Sequence, residues 1–174
     1  MNRRRFIVAA ATSGVAIVGG AALLIRPVYQ GPLTLSAVVE QLEGLRGKHP
    51  ASHGKWSAAH VFRHNAQSID YSISGFPESK GAVFQALAGR PAFTVFSARR
   101  EMRHDLAEPI PGSYAIADDG PLDAAIEKLL ASIATFVAHS GPLQPHFAYG
   151  ELSKSDYESA HVMHFLNHMS EITV

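Results

Sequence analysis

The chain has 174 residues, 47% hydrophobic and 17% charged, which is enough apolar material to bury a core and does not read as disordered. Formal net charge is +0, but residues 1–30 hold four arginines and no acid, so the remainder is acidic by about four charges. An acidic body argues against nucleic acid as a partner, because phosphate binding needs a basic face, and the absence of cysteine excludes disulfides, thiolate metal ligands and cysteine nucleophiles.

In chain order, Asn2-Arg3-Arg4-Arg5-Phe6-Ile7 has the pattern of a twin-arginine export signal, and Phe6 to Ile25 then runs without a charge. Twenty helical residues at 1.5 Å each reach roughly 30 Å, enough to span a bilayer, and no clear A-x-A cleavage site follows. Residues 1–30 are therefore expected to form a signal or membrane-anchor helix. The body, 31–174, is expected in the periplasm or on the outer face of the cytoplasmic membrane, tethered to the membrane if the signal is not cleaved.

Four helices are predicted in the body. Thr34 can cap Leu35-Ser36-Ala37-Val38-Val39, in a helix expected to stop at Gly47, and Ser57 can cap the segment from Ala58 to Gly75. Pro121 suits the first helical position of a segment that runs to Gly141. Ser153 with Asp156 has capping-box spacing before a last helix expected over 154–172. Between the second and third helices lie some forty residues punctuated by Gly and Pro, expected to hold short helices near 81–88 and 93–104 and a long loop. No strand alternation is visible. The expected fold is all-α, a four-helix bundle with one long crossover.

The chain carries ten histidines, and three of them sit on the last helix at spacings of three and four. At 100° per residue His161, His164 and His168 lie within about 60° of one another, beside the apolar stripe of Val162, Phe165 and Met169. On the second helix His60 and His64 are i, i+4 neighbours. Two histidines four apart can chelate one ion, and a third must come from a neighbouring helix; His164 and His168 with His64 fit that geometry. His161 and His168 span about 10.5 Å of helix axis, awkward for a single ion. The competing reading is a set of solvated or hydrogen-bonded imidazoles on a helix shoulder.

The stretches "GKWSAAHVFRHNAQSIDYSISGFP" and "QPHFAYGELSKSDYESAHVMHFLNHMSEI" resemble the DinB-like (YfiT-like) superfamily, in particular an uncharacterised branch with a Trp-Ser before the second helix and a His-rich last helix. Here the branch's H-P-F-F-G-x-L turn reads Pro145-His146-Phe147-Ala148-Tyr149-Gly150, with His and Pro transposed. The resemblance implies a four-helix bundle holding one divalent metal, zinc or nickel, on His64, His164 and His168. It also implies a small-molecule substrate, hydrolase or thiol-transferase chemistry, and a homodimer as one assembly. His161 and His60 are the candidate bases or orienters, and Trp56 reads as a packing residue.

Two other classes compete. Glu101-x-x-His104 and Glu158-x-x-His161, with Glu40 or Glu43 and Glu127, would suit a di-metal carboxylate bundle. A non-catalytic helical binding protein with vestigial histidines is the other. Haem ligation by a His pair has no C-x-x-C-H to support it.

Overall fold

The computed structural model describes residues 26–118 and 120–174. It is helical with little strand: α1 Leu35–Glu43, α2 Ala58–Ser74, α3 Ala82–Phe84, a π-helical turn Gln85–Gly89, α4 Arg90–Arg99, α5 Leu122–Ala138 and α6 Lys154–Met169. None of the described helices is long and apolar enough to cross a membrane. Residues 1–25 of the expected signal or anchor lie outside the described residues.

Helices α1, α2, α5 and α6 share one core, with α2 and α5 the most extensively packed pair. Leu35, Val38 and Leu42 come from α1, Val61, Phe62 and Ile69 from α2, Ile126, Leu129 and Phe136 from α5, and Tyr157 and Phe165 from α6. The spacings are those of one apolar stripe per helix, and burying a large side chain of this kind stabilises the fold by roughly 1.5–3 kcal/mol.

The caps on α2 and α6 match the sequence reading. Ser57 Oγ accepts the His60 N–H at 3.2 Å. At α6, Ser153 Oγ accepts the Asp156 N–H at 3.1 Å, and Asp156 Oδ2 accepts the Ser153 N–H at 3.2 Å, a full capping box. Other boundaries differ. Thr34 makes no cap bond because its hydroxyl meets Ser36 Oγ instead, and α1 ends at Glu43 rather than near Gly47. Pro121 is the residue before the first turn of α5, and α6 ends at Met169 rather than 172. Past that end, β2 Ile172–Thr173 pairs antiparallel with β1 Ala51–Ser52. Two residues are too few to show strand alternation, so this tie of the C-terminus to the α1–α2 connection left no mark in the sequence.

The crossover is more ordered than a loop. Its π-turn lies against the 146–150 turn, where a Cβ on Gly89 would stand 1.8 Å from the Ala148 carbonyl oxygen. The wider π geometry and a residue without a side chain allow that approach together. A second small cluster, Met102 with Ala160 and Met163 and the partly buried Phe93 and Phe96, docks the crossover on α6.

Replacing a helical glycine by alanine ordinarily stabilises a protein by about 0.5–1 kcal/mol. At Gly89 the sign should reverse: Gly89→Ala is expected to lower unfolding free energy in urea by 1 kcal/mol or more, on the order of a core overpacking. A stabilised variant would contradict the contact.

Candidate metal centre

Helices α2 and α6 cross so that His64 faces His164 and His168. The caps at Ser57 and Ser153 fix where each helix starts, and so which residues arrive at the crossing. His64 Nε2 lies 3.2 Å from His164 Nε2, and His168 Nε2 lies 3.1 Å from the same atom. The three ligand atoms fall within 4.8 Å of one another, close enough to hold a metal ion.

Nitrogen ligands 2.0–2.1 Å from a tetrahedral ion sit about 3.3 Å apart, so two edges of this triangle already have the ligand–ligand spacing of such a site. Hydrogen bonding alone satisfies the arrangement poorly. Each Nε2 offers either one proton or one lone pair. A proton on His164 can serve both neighbours only by being shared between their two lone pairs. A cation between the three takes up all the lone pairs at once, so the donor set fits a divalent metal.

The electrostatics agree. Burial pushes His64 down to about 3 and His168 down to about 2, and neighbouring imidazoles lower both further. Burial, reinforced by the surrounding rings, holds His164 well below the usual histidine range. All three are thus neutral at neutral pH, the form that ligates.

Trp56 orients this group by packing, in keeping with its sequence reading. Its ring stacks on His60 at 4.3 Å and on His168 at 5.8 Å, and tilts against His64 at 4.8 Å. His168 Nδ1 is buried with no hydrogen-bond partner among the described residues, so ring stacking rather than an outer acceptor sets that imidazole's plane.

His60 and His161 stand outside the triangle. His60 lies under Trp56, with Nδ1 3.4 Å from Asp118 Oδ1. His161 is buried against Tyr157, ring centres 5.4 Å apart, and Phe136 at 5.3 Å. Its Nε2 has no partner among the described residues.

The carboxylates of the di-metal alternative do not enter the cluster. Glu101 pairs with Arg99 at 3.1 Å and Arg103 at 2.9 Å, Glu43 and Glu127 hold Arg46, and Glu158 Oε1 accepts the Leu35 N–H at 3.0 Å. Among the described residues the histidine triangle is the one grouping with metal-ligand spacing.

Two further histidines reach this region from irregular chain. His104, on the crossover, has its ring 5.0 Å from His164 and 5.1 Å from His168. Its Nδ1–H donates to the Asp105 carbonyl at 2.8 Å, which leaves the Nε2 lone pair free. Sequence spacing signalled His104 only as part of Glu101-x-x-His104, a pairing the structure does not use. His146, in the turn before α6, had been noted only as a motif residue. Both line a cavity of about 160 Å³ together with His64, His164 and His161.

No curated protein and no solved structure matches this chain. A family model does match, over residues 33–174, a span that includes both histidine-bearing helices, the crossover and the 146–150 turn. The chain belongs to the family described as a protein of unknown function (DUF1569).

Proposed function

We propose that this chain is an exported DinB-like four-helix bundle that holds one divalent metal, zinc or nickel, on His64, His164 and His168, and uses it for hydrolysis of a small molecule. The observation that carries the reading is the trio of neutral imidazole nitrogens, two of their separations 3.1 and 3.2 Å, beside a cavity of about 160 Å³. A divalent ion held by three neutral ligands keeps its full charge and open positions, with which it acidifies water and polarises a carbonyl. The absence of cysteine from the chain gives no protein thiol to the site, and an exported location supplies few small ones, so water is favoured over a thiol as nucleophile.

The chain's own residues divide the remaining work. His104, an exposed residue next to the triad with its Nδ1–H engaged by the Asp105 carbonyl, is placed to hold a proton released there, a role the sequence had offered to His161 or His60. His161 lies buried among aromatics, and His60 is held between Trp56 and Asp118. Met102 and Ile110, both buried where the crossover covers the bundle, limit water in the cavity. Export rests on the Arg3–Ile7 pattern, and tethering to the membrane on the apolar run to Ile25.

Elemental analysis of untagged residues 31–174, purified without chelator, tests the metal. One equivalent of zinc or nickel is expected, lost in His164→Ala and His64→Ala and kept in His60→Ala, His161→Ala and His104→Ala. Loss of metal with His161, or no uptake after reloading with zinc and nickel, would contradict the assignment. Bound metal at a hundredfold excess over its Kd should add about 2.7 kcal/mol of stability, removed by chelator.

The buried rings also set a pH dependence. Burial pushes His161 down to about 3, whereas an unfolded chain protonates it near 6.5. Below roughly pH 6.5 the unfolded state binds the additional proton, so this histidine's contribution is complete above that value. It drains away as pH falls toward 3, by about 1.4 kcal/mol per pH unit. Urea denaturation of metal-free His161→Leu between pH 6 and 4 should give a stability slope shallower by about that amount, and an unchanged slope would show that His161 is not neutral in the native state.

A further inference from the structure

His146 is held at its backbone, its ring nitrogen and its ring face at once. Its backbone N–H donates to the Gly150 carbonyl at 2.8 Å and its carbonyl accepts from the Gly150 N–H at 3.0 Å, which closes a five-residue turn. Gly150 permits that closure with φ of 77°. The Gln85 side chain, from the π-turn, donates to the His146 and Phe147 carbonyls at 3.3 and 3.4 Å. The imidazole stacks on Tyr149, ring centres 4.2 Å apart and planes 9° from parallel.

The ring's tautomer is fixed by its own turn. Nδ1 accepts hydrogen bonds from the Ala148 and Tyr149 N–H groups at 3.1 and 3.2 Å, so it carries the lone pair and Nε2 carries the proton. That Nε2–H has no acceptor among the described residues, although the residue is only 8% exposed and lines the cavity. Burial pushes the ring down to about 3, so it stays neutral and in this tautomer at neutral pH. The Nε2 atom is open to the cavity rather than sealed in the core, so an acceptor entering the cavity would take the place of water at that donor.

The rest of the cavity defines the acceptor. Met102, Ile110, Phe147 and Ala160 supply apolar walls, and the volume suits a small molecule rather than a single water. Lys80 and Glu108 also line it, both exposed and opposite in charge, so they do not together select an anion. Three neutral imidazoles leave a dication uncompensated, and a charge held away from water calls for an opposite charge.

We propose that the cavity binds a small molecule with an apolar body and a carboxylate head, and that His146 Nε2–H is the donor that receives the head. The proposal rests on the metal reading for its preference of an anion over a neutral carbonyl. His146 is a binding residue here, with no part in holding the metal.

The test uses the full body loaded with cobalt(II), whose visible spectrum reports the site, titrated with benzoate and with benzamide as its uncharged analogue. Benzoate is expected to shift the spectrum and to bind at least tenfold more tightly than benzamide. His146→Asn keeps an acceptor for the Ala148 and Tyr149 N–H groups but places no donor at the Nε2 position, and should weaken benzoate at least tenfold with the unliganded spectrum unchanged. His146→Gln, whose amide N–H reaches toward that position, should recover part of the loss. Equal benzoate affinity in His146→Asn, or benzamide binding as tightly as benzoate, would overturn the proposal while leaving the metal in place. Failure to take up cobalt would overturn the metal reading, and the anion preference with it.

Discussion

Three imidazole nitrogens drawn within 4.8 Å of one another, where burial disfavours their charged form, are the constraint around which this structure is organised. Nitrogens at 3.1 and 3.2 Å would repel if protonated and leave lone pairs opposed if not. Burial decides between those states by keeping the rings neutral, with His64 near 3 and His168 near 2. A neutral cluster of three such nitrogens is a donor set that could hold a metal ion. The free energy of holding it together comes from the apolar stripes of α1, α2, α5 and α6.

Each surrounding feature then has a place in that scheme. The caps at Ser57 and Ser153 set the starts of the two helices that carry the three histidines. Trp56 fills the space among His60, His64 and His168, so ring planes are fixed by stacking where hydrogen-bond partners are missing. The crossover, docked by Met102 against Ala160 and Met163, closes the side that the helices leave open and brings His104 up to it. Its π-turn also grips the 146–150 turn through Gln85 and Gly89. One irregular segment thus touches both the histidine cluster and the 146–150 turn that lines the cavity.

The helical part of this arrangement was legible in the sequence because helices impose a period. His164 and His168 are four apart and must share a face, and Ser57 and Ser153 carry side chains that cap. His161 falls beside the apolar stripe in the sequence, and it is buried against Phe136 and Tyr157. His164 owes part of its burial to the crossover, whose His104 ring lies 5.0 Å from it, and no helical periodicity describes the crossover. For the same reason His104 and His146 could not be placed: they come from chain without a repeat, and tertiary contacts alone set their positions. The π-turn at Gln85–Gly89 and the two-residue β1–β2 pair are likewise local responses to packing. Glu101 and Glu158, which spacing offered as metal ligands, are engaged by arginines and by a backbone N–H.

X-ray absorption at the zinc edge of the metal-loaded protein measures the central claim most directly, because imidazole rings leave a characteristic outer-shell scattering pattern. Three imidazole nitrogens at about 2.0–2.1 Å, completed by oxygen, are expected, falling to two imidazoles in His64→Ala. A shell dominated by carboxylate oxygen, or one whose imidazole count is the same with and without His64, would contradict the histidine triangle as the metal centre.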